Sequence, residues 1–574
     1  MRTLNAFEQH LIADQIVTEE QLLRYQGEAA DTNRSVLDVI GDAGHGTVES
    51  LYKKLAHYCE LPYVSIPISE IPESVVEDVP ARFATHYGIV PIGYEGDSIV
   101  VAMSNPLDSS LIDEIRMVLK RSIHPVVSTQ SDIDKASREL YGLGADTVEQ
   151  IISDAKGDDN GDFVTLETGG ATSDLGDDSI DASIVKFVNV LFLEAIQSGS
   201  TDIHIEPFED ELRVRYRIDG VLHQVPVPSS VLGFQSSIIS RVKVMANLNI
   251  AEKRLPQDGK IQVSIGDEKY DLRISLLPTP HGETLNIRIL TRSSIFQTLG
   301  DLGFLPDDLE AIHSFIERPH GIILVTGPTG SGKSTTLYSA LNRLNSTDRK
   351  TITIEDPIEY QLKGITQMQV MPQIGFDFSM GLRSMLRHDP DVMMVGEIRD
   401  YETAEMSIRA SLTGHLVFST LHTNDAAGTV TRLIDMGVEP FLIASTMIAS
   451  IAQRLVRRVC DSCGKPIVPS SEALQGFGKR LEDVTDATFR MGEGCEDCRN
   501  TGYAGRLAIC EILPFVQEIK EMTVRSEQSS VIKAKARSLG MRSLRDSGWL
   551  RVASGETTLD EVLRVSADTD VAYE

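Results

Sequence analysis

Residues 321–338 hold the densest chemical pattern in this 574-residue chain. Gly321 to Thr326 is a short apolar run typical of a buried strand, and it leads directly into the spacing G-x-x-x-x-G-K-S. Glycines at this spacing let backbone N–H groups turn onto phosphate oxygens at a helix start, while Lys333 adds positive charge and Ser334 can ligate Mg²⁺. The predicted nucleoside triphosphate site comprises Gly327, Pro328, Thr329, Gly330, Ser331, Gly332, Lys333, Ser334 and Thr335.

Two later strands are each predicted to end in a carboxylate. Thr351 to Ile354 leads to Glu355, and Val392 to Val395 leads through Gly396 to Glu397. Because α/β sheets bind ligands at the carboxyl ends of their strands, both carboxylates are candidates for the site. The second of these strands resembles a Walker B segment, but Gly396 stands where the metal-binding Asp of that segment would be. Glu397 is therefore predicted to act on Mg²⁺ through a water, to orient the attacking water, or both. Glu355 is the alternative for the water-orienting role.

Two histidines bracket a third predicted strand, Leu416 to Thr420. His415 precedes it and His422 follows it closely. A histidine beside phosphate-binding motifs can sense the phosphate through its charge, and a purely structural role is the alternative.

The stretch from 183 to about 295 is notable for arginines. Arg213, Arg215 and Arg217 alternate along one predicted strand and therefore share a face. Arg273 and Arg288 follow further along. A set of arginines upstream of a nucleotide loop is predicted to supply positive charge to a phosphate, whereas the alternative is a set of solvated surface residues.

Four of the six cysteines form two C-x-x-C pairs, which favours a metal site over disulfides. Four thiolates can surround Zn²⁺ tetrahedrally and leave no open position, so the predicted site is structural. Its ligands are Cys460, Cys463, Cys495 and Cys498.

Composition limits the function classes. The net charge of -30 argues against a general nucleic-acid binder, since affinity for phosphate backbones depends on clustered Lys and Arg. The longest apolar candidate, 441–452, is too short to cross a bilayer, and the N-terminus lacks the apolar core of a secretory signal. A cytoplasmic protein is therefore expected.

Shifts in composition divide the chain into seven parts. Thr18 and Thr47 are predicted helix N-caps in a faintly duplicated N-terminal region, with Gln21 completing a capping box in the first copy. The acidic segment before 183 is predicted to be a flexible tether. The parts are a helical N-terminal docking subdomain (1–60), an α/β N-terminal subdomain (61–142), the acidic linker (143–182), an arginine-bearing middle domain (183–298), the ATPase core (299–455), a four-cysteine zinc subdomain (456–512) and a C-terminal helical segment (513–574).

Four stretches together resemble the secretion ATPase superfamily: 327–335, 351–359, 383–399 and 414–424 match its Walker A, aspartate, Walker B and histidine boxes. The segments 200–207, 217–220 and 251–259, with the paired C-x-x-C, are similar to the GspE/PilB branch, the ATPases of type II secretion and type IV pilus assembly. The resemblance implies an α/β fold, in which an α+β middle domain precedes a RecA-like P-loop motor domain.

The resemblance also implies how such a protein works. It implies a cytoplasmic homo-hexamer that hydrolyses ATP with Mg²⁺ to drive pilin or pseudopilin assembly, and that contacts the inner membrane only through a platform protein and a docking domain. Arg273 and Arg288 match middle-domain arginines that approach the phosphates. Arg383 and Arg387 match arginines that face the site or the neighbouring subunit.

Some relatives bind cyclic di-GMP through Arg-Leu-Gly repeats in the N-terminal region. Here Arg34-Ser-Val36 departs from that pattern, so cyclic di-GMP binding is not expected. Two other functions stay open as alternatives, a RecA-like nucleic-acid translocase and an ATP-gated scaffold. The sequence does not separate type II secretion from pilus extension.

Overall fold

The computed structural model of the protein describes residues 6–32, 34–107, 109–119, 121–142, 178–265, 268–291, 298–480, 482, 484, 486–495 and 497–566. The chain divides into two units, Met1–Ile289 and Leu290–Glu574. Among the described residues, no helix combines the length and the apolar character that a bilayer span requires.

The described part of residues 1–60 is helical, as the sequence predicts. Thr18 Oγ1 accepts a hydrogen bond from Gln21 N at 3.3 Å, and Gln21 Oε1 accepts one from Thr18 N at 2.9 Å, so the predicted capping box is confirmed. Thr47 Oγ1 likewise accepts from Ser50 N at 3.2 Å. The helices are α1 (Ala6–Ala13), α2 (Glu19–Thr32), α3 (Val36–Asp42) and α4 (Val48–Tyr58).

A small α/β layer follows. Its elements are α5 (Glu73–Asp78), α6 (Ala81–Tyr87), β1 (Ile89–Glu95), β2 (Ser98–Met103), α7 (Ser109–Leu119), β3 (Ile123–Val127) and α8 (Gln130–Tyr141). The three strands lie in the order β1-β2-β3, with β1 antiparallel and β3 parallel to β2. Short 3-10 turns occur at Ile68–Glu70 here and at Ser229–Phe234 further on.

The last part of the first unit is a six-stranded sheet with two helices on one face. Its elements are α9 (Asp178–Gln197), β4 (Ser200–Pro207), β5 (Leu212–Ile218), β6 (Val221–Val225), α10 (Gln235–Met245), β7 (Gln257–Ile265), β8 (Glu268–Thr279) and β9 (Gly282–Thr291). The strand order is β6-β5-β4-β9-β8-β7. Residues 178–182 belong to α9 rather than to the predicted linker, whose remaining residues, 143–177, lie outside the described part of the chain.

Strand alternation decides which side chains of this sheet are buried. Val214 and Tyr216 in β5 join Ile203 and Ile205 of β4 in the apolar core. The residues between them point to the other face, which places the three alternating arginines together as predicted. This sheet therefore has one apolar face, which is buried, and one face that carries the arginines.

The second unit is built on a seven-stranded sheet. The strands are β10 (Gly321–Thr326), β11 (Thr351–Glu355), β12 (Thr366–Gln369), β13 (Val392–Val395), β14 (Leu416–Leu421), β15 (Met447–Val459) and β18 (Tyr503–Pro514). Their order is β12-β11-β13-β14-β10-β15-β18, and every neighbouring pair is parallel except β15 with β18. The carboxyl ends of β10, β11, β13 and β14 therefore share one edge, as the predicted α/β motor fold requires.

Helices cover both faces of this sheet. They are α11 (Pro306–Ile316), α12 (Lys333–Leu344), α13 (Phe378–Met385), α14 (Tyr401–Leu412), α15 (Gly428–Asp435) and α16 (Pro440–Thr446), with 3-10 turns at Pro372–Ile374 and Leu386–His388. Buried residues form one core on each face. Strands such as β10 are consequently apolar throughout, as parallel strands buried on both faces are.

The cysteine segment is an excursion between two strands of the main sheet. It contains β16 (Gly464–Pro466), α17 (Ser471–Gln475) and β17 (Arg490–Gly492), and β16 pairs with β17. Residues 456–459 and 503–512 of the predicted zinc subdomain instead extend β15 and β18 of the sheet. Four helices follow, α18 (Gln517–Val524), α19 (Ser529–Ser538), α20 (Leu544–Ala553) and α21 (Leu559–Ser566).

Candidate active site

The glycine-rich loop lies between β10 and α12. Gly327, Gly330 and Gly332 all have positive φ, at 148°, 79° and 86°, which side chains with a Cβ rarely adopt. Lys333 Nζ donates to the carbonyls of Gly327 at 2.9 Å and Pro328 at 3.0 Å, so the ammonium lies over the loop. The loop thus has the backbone geometry and the cation that phosphate binding requires.

Burial controls the charge on Lys333. Loss of water lowers the pKa of its ammonium from 10.5 to about 8, with Glu397 opposing the shift and Arg454 adding to it. Bound phosphate would supply the negative charge that this buried ammonium lacks.

The first turn of α12 offers hydroxyls. Ser334 is exposed, as ligation of a metal with its waters requires, and Thr335 is half-buried. The Ser331 hydroxyl is buried and has no hydrogen-bond partner among the described residues. An acceptor or donor on a bound nucleotide would satisfy it.

Glu397 follows β13 at the same edge of the sheet. Its carboxylate is 14% exposed, forms an ion pair with Arg399 at 2.6 Å and lies 3.3 Å from His422 Nε2. The Glu397 hydrogen bond raises the pKa of Arg399 above its usual value. Because Glu397 also acts on Lys333, the structure brings Lys333, Glu397 and His422 into one cluster.

Glu355 ends β11 in a more enclosed environment. Its Oε1 accepts hydrogen bonds from Thr353 Oγ1 at 2.5 Å and Gln367 Nε2 at 3.1 Å, and its Oε2 accepts one from the Tyr338 hydroxyl. Burial raises the pKa of Glu355 above its usual range. Both oxygens therefore already have protein donors, whereas Glu397 pairs with Arg399 at the edge of the site.

The two histidines lie at opposite ends of β14. Gly321 N donates to His415 O at 3.2 Å, which places His415 beside the first residue of β10, at the amino ends of the strands. Its Nδ1 contacts the carbonyl of Ala410 at 2.7 Å. Because the glycine-rich loop leaves β10 at the other end, His422 adjoins the phosphate site and His415 has a local structural contact instead.

Arg383 and Arg387 are both on or next to α13. Arg383 forms an ion pair with Glu402, and its guanidinium is half exposed. Arg387 donates to Arg383 O at 2.9 Å and to Ser384 Oγ at 3.2 Å. The structure does not bring either one into the Lys333, Glu397 and His422 cluster, so their predicted role toward a neighbouring subunit stays a prediction.

The arginines of the first unit are largely matched by carboxylates in their own sheet. Arg288 Nε lies 3.1 Å from Asp202 Oδ1, while Arg217 Nε lies 3.6 Å from the other oxygen of the same side chain. Arg215 pairs with Glu206 in the same way at 2.7 Å. Arg273 lies in β8 of the same sheet. The approach of Arg273 and Arg288 to a phosphate stays a prediction.

The four predicted cysteine ligands converge. Their Sγ atoms all lie within 4.8 Å of one another, with Cys460 to Cys495 at 3.7 Å and Cys463 to Cys498 at 3.6 Å. A tetrahedral zinc site with Zn–S bonds of about 2.3 Å has S···S edges of about 3.8 Å. The residues therefore fit Zn²⁺ in geometry and donor type.

Strand β15 brings two residues to the site that the sequence motifs do not identify. Gln453 and Arg454 are buried, at 1% and 7% exposure, and both lie against the glycine-rich loop. The sequence does contain a signal, a polar pair inside the apolar run from Met447 to Val456.

Together, the glycine-rich loop, Lys333 and a carboxylate two strands away define a P-loop nucleoside triphosphatase. The sequence matches the family described as "Type II/IV secretion system protein" over residues 177–564 and the "MshEN domain" over residues 59–147. The chain belongs to the type II/IV secretion system protein family, which confirms the predicted resemblance, and it is an ATP-hydrolysing enzyme of that family.

Three relatives indicate the branch. The chain is 40% identical over 555 residues to "Type IV pilus assembly ATPase PilB" of Myxococcus xanthus, covering 96% of this chain and 97% of the relative. It is 39% identical to "Type II secretion system protein E" of Xanthomonas campestris, with 96% of each covered. It is 41% identical to "Type II secretion system ATPase E" of Vibrio cholerae, with 88% and 99% covered.

Proposed function

We propose that the protein hydrolyses ATP by in-line attack of water on the γ-phosphate, with Glu397 as the residue that orients the water. The cluster of Lys333, Glu397 and His422 at one sheet edge carries this proposal. Lys333 and the loop amides hold the phosphates, while Glu397 has a carboxylate at the edge of the site. Catalysis then comes mainly from positioning and charge neutralisation.

Mg²⁺ is the metal that these residues fit. Ser334 offers an exposed hydroxyl at the start of α12, and Glu397 is placed to act through a water. When bound, Mg²⁺ would neutralise charge on the phosphate oxygens. Arg273 and Arg288 are proposed to offset further charge there, and Arg383 and Arg387 to act toward a neighbouring subunit.

We propose further that six copies form a ring that drives assembly of pilins or pseudopilins, with a platform protein and a docking domain at the inner membrane as partners. Membership of the family and the names of the relatives support this motor function. The chain is 40% identical to a pilus ATPase and 39% identical to a secretion protein, and these nearly equal values do not decide in which of the two machines it works. The proposed location is the cytoplasm, with membrane contact through partners.

The test compares Glu397→Gln with Glu355→Gln in steady-state ATP hydrolysis by the full-length protein. We expect Glu397→Gln to lower kcat by about 100-fold or more, since it removes the group that orients the water. Glu355→Gln should lower thermal stability instead, because an amide cannot accept from all three donors around Glu355.

Glu405→Gln is the matched control, because Glu405 pairs with Arg409 on the surface of α14. A large loss of kcat in Glu355→Gln with an active Glu397→Gln would reverse the assignment. Stimulation of hydrolysis by DNA would favour a nucleic-acid translocase. An unchanged rate of ATP hydrolysis in Glu397→Gln would favour an ATP-gated scaffold.

A further inference from the structure

We propose that Arg454, supported by Gln453, is a positioning residue of the ATP site that holds the P-loop against the loop after β14 and contributes a second fixed positive charge beside Lys333. This inference rests on the ATP hydrolysis assigned to the family. It concerns strand β15, which contains none of the four motif stretches.

Burial is the first observation. Arg454 is 7% exposed and Gln453 is 1% exposed, within a strand whose other residues from Met447 to Val456 are apolar or small. Removing a guanidinium from water is costly unless its charge and its donors find partners. A stable strand core would favour an apolar residue at position 454, so a buried arginine there points to a use for its charge.

The guanidinium bridges two segments. Nη1 donates to the carbonyl of Gln453 at 3.2 Å, and Nη2 donates to the carbonyl of Asn424 at 3.1 Å. Asn424 lies two residues after His422, whose imidazole is 3.3 Å from Glu397. Arg454 therefore fixes the loop that pairs with the proposed water-orienting carboxylate.

The same two side chains pack against the P-loop. A Cβ added to Gly327 would lie 3.0 Å from Arg454 Nη1 and 2.6 Å from Gln453 O, and one added to Gly332 would lie 2.8 Å from Gln453 Nε2. Thr336 Oγ1 on α12 donates to Gln453 Oε1 at 2.8 Å. The two glycines are thus needed for close approach to β15 as well as for their backbone angles.

Charge is the last observation. Lys333 Nζ donates to the carbonyl of Gly327 at 2.9 Å, and Arg454 Nη1 would lie 3.0 Å from a Cβ on the same glycine, so the two cations lie close together at the P-loop. Glu397 pairs with Arg399 and lies 3.3 Å from His422. Two cations that repel each other both gain from a bound triphosphate, so Arg454 should increase the affinity for ATP.

The test uses the full-length protein with Arg454→Gln, Arg454→Lys and Gln453→Met, and with Arg458→Gln as the matched control. Arg458 lies on the same strand but is exposed and pairs with Asp461. The readouts are kcat and KM for ATP, determined separately, and the melting temperature.

We expect Arg454→Gln to lower kcat/KM by about 10- to 100-fold, the scale of losing hydrogen bonds from a charged group. The loss should fall mainly on KM, because the removed charge attracts the bound triphosphate. Arg454→Lys keeps the charge but cannot span both carbonyls, so it should show a smaller rise in KM. Gln453→Met should also raise KM, because it removes the hydrogen bond to Thr336.

A merely structural Arg454 would give equal losses in the Lys and Gln variants, in parallel with lower melting temperatures, which would overturn the proposal. Wild-type kinetics in Arg454→Gln would do so as well. If Arg454→Gln does not fold, the KM values of Arg454→Lys and Gln453→Met still decide, since wild-type values in both variants would overturn the proposal.

Discussion

Lys333, the proposed phosphate ligand, lies in surroundings that favour loss of its proton. Burial and the nearby Arg454 lower the pKa of its ammonium, while Glu397 opposes that shift. Between pH 8 and 10.5 the empty folded protein therefore holds fewer protons at this residue than the unfolded chain. The cost of burying the charge is present in full below pH 8 and disappears as pH rises through that range.

Proton uptake on binding follows from this linkage. A triphosphate favours the charged ammonium, so ATP binding at pH 8.5 should be accompanied by net uptake of protons by Lys333. Calorimetry in buffers of different ionisation enthalpy measures that uptake directly. Lys465→Met, which changes an exposed lysine paired with Glu493, should leave it unchanged. Binding enthalpies that do not depend on the buffer at pH 8.5 would contradict the depressed pKa.

Two loop glycines offer a matched pair of substitutions. Gly330→Ala meets only the strain of positive φ, since nothing lies within 4 Å of the new Cβ, and should cost about 1 kcal/mol. Gly327→Ala has its Cβ 2.6 Å from Gln453 O and should cost about 3 kcal/mol and weaken ATP binding strongly. Thermal unfolding and equilibrium nucleotide binding of both variants check this. Equal effects would mean that β15 does not restrict the loop.

At the scale of elements, the sequence predicts the features that are formed by residues near one another in the chain. The P-loop, the strand that ends at Glu355, the strand that precedes Glu397 and the capping box at Thr18 all depend on residues close together in the chain, and the structure agrees with each. The different environments of His415 and His422 depend on strand direction in the assembled sheet, which no single strand encodes. The contact of Gln453 with Thr336 joins residues far apart in sequence, so no local motif indicates it.

The cysteine segment illustrates the same limit. Its two C-x-x-C pairs indicate the candidate ligands. Only the pairing of β15 with β18 shows that both pairs lie at the end of a hairpin of the main sheet. Cys460 N donates to Gly502 O at 3.0 Å, and a Cβ on Gly492 would lie 2.1 Å from that same oxygen. The excursion is therefore packed tightly around the ligands, where a metal would replace a larger apolar core.

Removal of the metal should loosen this excursion first. We expect one zinc per chain, and we expect Cys498→Ser or a chelator to lower the melting temperature and to expose residues 461–502 to proteolysis, because three thiolates complete the site poorly. Metal analysis and limited proteolysis measure this. Cys59→Ser, at a half-buried cysteine outside the cluster, is the control. Full zinc content in Cys498→Ser would exclude Cys498 as a ligand.

At the scale of the whole molecule, an acidic chain has to bind a highly anionic ligand. The chain has 84 acidic against 54 basic residues, a balance that disfavours binding to long phosphate backbones, and many of its arginines already pair with carboxylates. The proposed ATP contacts, from the loop amides, Lys333 and Arg454, all act at short range. The charge balance thus favours a nucleotide in a closed local site over a nucleic acid on an open surface.

A ring of six such subunits can work in concert or as independent sites, and mixed rings separate the two. Co-expression of wild-type and Glu397→Gln chains in equal amounts should leave only about 2% of the activity if one inactive subunit stops the ring, and about half if subunits act alone. We expect the steep loss, because a motor that moves one load needs coordinated sites. Mixing with Glu405→Gln should leave the activity unchanged. A linear decline with the fraction of Glu397→Gln, in particles shown to be hexamers, would mean that the ring holds six independent ATPases.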